Sequence, residues 1–164
     1  VMSWAYSDRV KSPGVPQAML LACSLLGADL TLAHPKGYEL DEEYMDFAQK
    51  AYQKSGGALN VTNDIYEAST DADIIYAKSW GSTRGMGKEE DKEYRRQFAK
   101  DWCISDRHFE LAKPVSYYMH PLPAARGEEV TDAVIDGSHS IVYDQAENRL
   151  HAQKAILALL MKRK

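Results

Sequence analysis

The chain has 164 residues, of which 45% are hydrophobic and 27% are charged, and its formal net charge is −4. This size and composition predict a single globular domain with its own core, and the negative charge argues against nucleic-acid binding. Two cysteines are too few for a disulfide framework, and no apolar run is long enough to span a bilayer. Because the first residues do not resemble a secretory leader, we expect a cytoplasmic protein.

Predicted strands and helices alternate along the chain. Short apolar runs predict strands at 1–6, 29–33, 59–62, 72–77, 115–120 and 140–143. Apolar residues at helical spacing predict helices at 17–26, 40–54, 65–68, 89–98, 105–111 and 131–135, with a final helix from 145 onward. The alternation predicts an α/β fold for residues 1–164. It is a three-layer, doubly wound, Rossmann-like parallel sheet of about five strands, with helices on both faces.

The loop after the first predicted strand argues against a dinucleotide cofactor. Pyrophosphate binding at this position needs closely spaced glycines, whereas residues 8–16 hold Pro13, Gly14 and Pro16 and are predicted to lack regular structure. A nucleotide-dependent Rossmann enzyme is therefore disfavoured. The histidines and cysteines show no metal-ligand spacing, so we expect neither a metal nor a cofactor.

Polar residues follow two of the predicted strands. His120 ends an apolar run, and Lys78 follows the strand at 72–77, so both should lie at the carboxyl edge of the sheet. The helix that begins near Gln145 would offer the Arg149 guanidinium to an anion. From the residues alone, a solvated lysine, a histidine satisfied at a strand end and a surface pair of Glu147 with His151 remain alternatives.

Four motifs in this order resemble the aspartate/ornithine carbamoyltransferase family: MSWAYS at 2–7, YAKSW at 76–80, HPLP at 120–123 and QAENR at 145–149. The likeness is to the second, amino-acid-binding domain and to the knotted branch that contains N-acetylornithine carbamoyltransferase. It implies transfer of the carbamoyl group from carbamoyl phosphate to a primary amine of an amino acid. This acceptor would be ornithine or a compound like N-acylornithine, and the reaction would need no cofactor. It also implies a knot near the proline-containing loop, although a stiff surface connection is an equally good interpretation of that loop.

The resemblance also implies roles for particular residues. The implied catalytic residues are His120, which would donate to the carbonyl oxygen of carbamoyl phosphate, and Arg149, which would bind the carbamoyl or phosphate oxygens. The implied substrate-binding residues are Lys78, Ser79, Trp80, Pro121, Leu122 and Arg126.

Three positions depart from the family pattern. Pro121 replaces a cysteine but keeps its backbone carbonyl, while Ala125 and Glu129 replace an arginine and a lysine of the N-acetylornithine enzyme. The changes at Ala125 and Glu129 favour a more basic acceptor or one without an N-acyl group. Pro121 and Glu129 also leave an alternative function open, namely a non-catalytic ligand-binding or interaction module derived from the family.

The chain begins inside a predicted strand, so we expect a piece of a longer protein whose N-terminal carbamoyl-phosphate domain is absent. The isolated chain should then be inactive, and the whole enzyme should be a homo-oligomer, a trimer in the family. The last helix is apolar over a wide arc and should leave an exposed patch.

Overall fold

The computed structural model of the chain describes residues 1–162, in which five strands form one parallel sheet. The strands are β1 (Met2–Trp4), β2 (Leu30–Ala33), β3 (Leu59–Thr62), β4 (Ile74–Lys78) and β5 (Tyr117–Met119). They lie in the order β3-β2-β1-β4-β5, and every neighbouring pair is parallel. The predicted α/β fold is therefore confirmed.

Helices connect the strands on both faces of the sheet. They are α1 (Gly14–Leu26), α2 (Glu42–Ser55), α3 (Ile65–Ser69), α4 (Lys88–Arg95), α5 (Asp106–Leu111), α6 (Asp132–Ile135) and α7 (Val142–Met161). A 3₁₀ turn at Arg96–Phe98 continues α4. Helix α1 packs on α2 and α3 packs on α5, and right-handed crossovers place these two pairs on opposite faces. No helix among the described residues is long and apolar enough to cross a membrane.

The chain reverses its direction across the sheet between β1 and β4. Ligands bind at such a switch point in open α/β sheets, because the loops there diverge and leave a crevice. The backbone amide of Ala5 donates to the carbonyl of Lys78 at 3.0 Å, and the Trp4 indole donates to the Trp80 carbonyl at 2.9 Å. These bonds fix the ends of β1 and β4 side by side.

Three sequence predictions differ from the structure. The strand predicted at 140–143 is wrong, because Ser140 makes a single bridge to Tyr118 and α7 begins at Val142, whose buried side chain anchors the helix start. Helix α1 begins at Gly14 rather than Gln17, since proline is well tolerated in a first helical turn. Strand β5 lies at the sheet edge, so Val115 and Tyr117 are exposed rather than buried.

Candidate functional site

A fully buried carboxylate lies where the carboxyl ends of β4 and β5 meet the loop after β1. Glu129, in the loop between β5 and α6, is 0% exposed. Its Oε2 accepts hydrogen bonds from the Lys11 ammonium at 2.8 Å and the Ala125 amide at 2.9 Å, and its Oε1 accepts one from the Ser79 amide at 2.9 Å. Two parts of the chain distant in sequence are thus tied to one side chain.

Two of the predicted site residues face the same carboxylate. Lys78 Nζ lies 4.0 Å from Glu129 Oε1, and His120 Nε2 lies 3.4 Å from the same oxygen, a close polar contact. We refer to Lys11, Lys78, His120 and Glu129 as the Glu129 cluster. Its centre is next to the switch point of the sheet, where the strand order predicts a ligand site.

The charges in this cluster are coupled. Burial opposes ionisation of Glu129, but the contacts with His120 and Lys11 outweigh it and lower the pKa of the carboxyl group to about 2. The pKa of Lys78 is also lowered, first by burial and then by repulsion from Lys11, against the attraction of Glu129. The ammonium groups of Lys11 and Lys78 face one carboxylate, so these three side chains leave one positive charge, which suits an anionic ligand.

The position of His120 is set by α7. The His120 amide donates to the Gln145 side-chain carbonyl at 2.9 Å, and the Gln145 amide group donates to the Tyr76 hydroxyl at 3.1 Å. The imidazole is buried and lies over the Tyr118 ring, with 6.5 Å between ring centroids. Within residues 1–162 neither Nδ1 nor Nε2 has a hydrogen-bond partner, so two buried polar atoms are left for a ligand or water.

Arg149 does not join the cluster, contrary to the expectation that it shares a crevice with Lys78 and His120. It lies on the exposed part of α7, and within the described residues its guanidinium makes no hydrogen bond or ion pair. It follows Gln145 by four residues and therefore lies on the same side of the helix, about 6 Å further along its axis.

Arg126 is also placed away from the cluster. Its guanidinium donates to Asp132 at 2.7 Å and to both carboxylate oxygens of Asp136 at 2.6 and 2.8 Å. These carboxylates raise the pKa of Arg126 and occupy its donors. The prediction that Arg126 binds substrate is not supported by this arrangement, because the following helix α6 supplies its partners.

The side chains of Ser79 and Trp80 are buried and make hydrogen bonds within the protein. The Ser79 hydroxyl accepts a bond from Arg95, and the Trp80 indole donates to the Tyr38 carbonyl at 2.9 Å. Both side chains are fully buried, and their predicted contact with substrate stays a prediction. The Lys78 side chain is the one member of this motif that reaches the cluster.

The backbone after His120 turns sharply. The Leu122 amide donates to the His120 carbonyl at 2.9 Å, and the Leu122–Pro123 peptide bond is cis. Within residues 1–162 the carbonyls of Pro121 and Leu122 accept no hydrogen bond. Their contact with the amine of the acceptor, which the resemblance implies, stays a prediction.

The sequence did not indicate that Lys11 lies in the site, and it predicted a different role for Glu129. It expected Glu129 to favour a basic acceptor, yet three hydrogen bonds and the close contacts with Lys78 and His120 occupy both of its oxygens. The contact between Lys11 and Glu129 spans 118 positions of sequence, so no local pattern could have indicated it. Among the described residues, no group of three or more histidine, cysteine, aspartate or glutamate side chains is arranged to hold a metal ion.

A second buried ion pair, also missed, supports the loops of the site. Arg95 donates to the carbonyls of Ser7 at 2.8 Å, Arg9 at 3.1 Å and Trp80 at 3.0 Å, and pairs with Asp91 at 3.1 Å. An acid and a base four residues apart in a charged helix are typical of a solvated face, so the sequence did not reveal this role.

Comparisons with known proteins show which family the chain resembles over nearly its whole length. Residues 11–160 match the family profile described as "Aspartate/ornithine carbamoyltransferase, Asp/Orn binding domain". The chain is 46% identical over 147 residues to the anabolic ornithine carbamoyltransferase of Pyrococcus furiosus. It is 47% identical over 141 residues to the ornithine carbamoyltransferase of Geobacter metallireducens. These alignments cover 90% and 86% of the chain.

Solved structures show the same likeness. A crystal structure of N-acetyl-L-ornithine transcarbamylase matches 98% of the chain with a TM-score of 0.92 and 38% identity. A structure of acetylornithine transcarbamylase complexed with acetylcitrulline matches 99% of the chain with a TM-score of 0.93 and 38% identity. The chain spans slightly less than half of each of these relatives, between 45% and 49% of their lengths.

Proposed function

The chain belongs to the aspartate/ornithine carbamoyltransferase family, and on this basis we propose that it is the acceptor-binding domain of a carbamoyltransferase. The reaction would move the carbamoyl group of carbamoyl phosphate to a primary amine of an amino acid, which would be ornithine or a compound like N-acylornithine. We further propose that the enzyme acts in the cytoplasm and needs no cofactor.

The observation that carries this proposal is the meeting of Lys78 and His120 at the switch point of the sheet. The two side chains lie 4.0 and 3.4 Å from one buried carboxylate oxygen, which holds a cation and an imidazole side by side. A cation suits the carboxylate of an amino-acid acceptor, and an imidazole suits the carbonyl oxygen of the carbamoyl group.

The chemistry needs orientation and charge stabilisation rather than a covalent intermediate. The neutral amine attacks the carbonyl carbon, a C–N bond forms, the bond from carbon to the bridging phosphate oxygen breaks, and the amine loses a proton. In this scheme Lys78 holds the acceptor, His120 donates to the carbonyl oxygen, and the carbonyls of Pro121 and Leu122 accept from the attacking amine.

Arg149 keeps its proposed role as a ligand of the carbamoyl or phosphate oxygens, with the position of its helix as the support. Gln145 fastens the first turn of α7 to His120, and Arg149 is one turn further along the same side. Carbamoyl phosphate bound beyond His120 would therefore lie on the side of α7 from which Arg149 projects.

The complete reaction is proposed to need a second, carbamoyl-phosphate-binding domain, because the chain covers less than half of its relatives. We propose that residues 1–164 form one domain, that the complete enzyme is a homo-oligomer, a trimer as in the family, and that this chain alone is inactive. Carbamoylated product formed by the isolated chain would contradict the last point.

The test of the proposed function is carbamoyl transfer by the complete protein. Carbamoyl phosphate is offered with L-ornithine, N-acetyl-L-ornithine and N-succinyl-L-ornithine, and the carbamoylated products are quantified. We expect one acceptor to be used well above the others. Absence of transfer to all three, with retained binding of amino acids, would instead favour the non-catalytic ligand-binding module.

A further inference from the structure

We propose that Lys11 is a second binding residue for the carboxylate of the acceptor, and that Glu129 is a positioning residue that holds Lys11 and Lys78 together. This inference rests on the proposed function. It assigns to the loop after β1 a direct part in acceptor recognition, which none of the motifs indicated.

The backbone around Lys11 is held against the segment that follows Lys78. The Gly81 amide donates to the Lys11 carbonyl at 2.8 Å. A Cβ on Gly81 would lie 2.7 Å from Val10 Cγ1 and 3.1 Å from Asp91 Oδ2, so the loop packs where only glycine fits. Arg95 fixes the preceding carbonyls of Ser7 and Arg9. The Lys11 side chain therefore starts from a well-defined point.

Lys11 is the more exposed of the two lysines in the cluster. Its side chain is 22% exposed, compared with 11% for Lys78 and 0% for Glu129. The distance of 2.8 Å to Glu129 Oε2 directs the ammonium toward the cluster rather than into solvent. Lys11 is therefore the lysine of the cluster that a ligand from solvent can reach more readily.

The charge of the cluster indicates which ligand it takes. Two partly buried ammonium groups share one carboxylate, and the second carboxylate that would neutralise them is missing among the described residues. The carboxylate of an amino acid has the right charge and can accept from both lysines at once. Glu129 keeps the two cations close to each other, and its saturated oxygens do not compete for the acceptor's amine.

The test compares acceptors that differ only in the carboxylate. The KM and kcat of the complete protein are measured for L-ornithine and L-ornithinamide, and for N-acetyl-L-ornithine and N-acetyl-L-ornithinamide. We expect Lys11→Met to raise the KM for the acid by about 10- to 100-fold, as loss of one charge-assisted hydrogen bond would, and to leave the KM for the amide unchanged. Lys11→Arg should restore much of the affinity for the acid.

Lys50, which is exposed on α2, provides the matched control, and Lys50→Met should change neither KM. Equal effects of Lys11→Met on acid and amide, or no effect on either, would overturn the assignment of Lys11 while carbamoyl transfer itself persists. Absence of transfer by the wild-type protein would refute the proposed function, and the assignment of Lys11 with it.

Discussion

At the scale of residues, Glu129 holds the site together because its charge is buried among opposite charges. Removing one charge from such a group leaves the remaining charges buried without a counter-ion. The resulting loss of stability is larger than the stability that the ion pair itself contributes. In this chain the partners are Lys11 and Lys78, which would then repel each other across an uncharged side chain.

Neutralising this residue should therefore destabilise the fold. We expect Glu129→Gln to lower the free energy of unfolding by about 3 kcal/mol, measured by urea denaturation, because two partly buried ammonium groups lose their buried counter-ion. Glu110→Gln, at an exposed position of α5, is the control and should change stability by less than about 0.5 kcal/mol. Equal stability of the two variants would show that Glu129 does not carry the cluster.

The lowered pKa of Glu129 predicts how the free energy of unfolding depends on pH. The folded-state pKa of Glu129 is about 2, below its ordinary value of 4.5, so its contribution is present above pH 4.5 and is lost as the pH falls toward 2. This loss should be on the order of 3 kcal/mol in the wild-type chain. Glu129→Gln should lack it, which unfolding curves between pH 5 and about pH 2 would reveal as a flatter profile.

The lowered pKa of Lys78 predicts that acceptor binding weakens at alkaline pH. Because burial and Lys11 lower its pKa below 10.5, the Lys78 ammonium loses its proton at a lower pH than an ordinary lysine, and the acceptor KM should then rise. Lys78→Arg keeps its charge at any accessible pH, so the rise should disappear in that variant. An unchanged alkaline rise in Lys78→Arg would show that another group controls it.

At the scale of elements, α7 is the least supported part of the described chain. Val142 is buried and Gln145 bonds to His120, but the apolar residues further along are between 55% and 78% exposed: Leu150, Ile156, Leu157, Leu159, Leu160 and Met161. The predicted exposed patch is confirmed. We propose that in the complete enzyme this helix packs against the carbamoyl-phosphate domain.

An apolar helix without a partner should make the isolated chain associate. We expect light scattering to show a mass above that of a monomer at high protein concentration, and the double change Leu157→Lys with Leu160→Lys to shift the chain to a monomer. The control, Lys50→Met on α2, should associate like the wild type. A wild-type chain that stays monomeric at every concentration would contradict this expectation.

The elements also show where sequence reasoning succeeds. Alternating apolar runs and helical patterns predicted the sheet, and the positions of Lys78 and His120 after strands predicted their neighbourhood, because parallel strands end at one edge. The apolar run at 140–143 wrongly predicted a strand, since a β-branched residue such as Val142 can also anchor the start of a helix. Lys11, Glu129 and Arg95 depend on contacts between distant loops, which no pattern of neighbouring residues records.

At the scale of the whole molecule, the chain spans slightly less than half the length of its relatives. We propose that it forms the acceptor half of a two-part enzyme, with Lys78 and His120 at the acceptor site. Whether the loop at 8–13 takes part in a knot stays a prediction. Its contacts with Gly81 and Glu129 make it part of the site in either case.

The kinetics of carbamoyl transfer by the complete protein, measured for the wild type, Lys78→Met and His120→Gln, test the central assignment most directly. Lys78→Met is predicted to raise the acceptor KM by about 10- to 100-fold with little change in the KM for carbamoyl phosphate. His120→Gln is predicted to lower kcat by about 100-fold or more. Wild-type kinetics in both variants would contradict the account, because Lys78 and His120 would then have no part in the reaction.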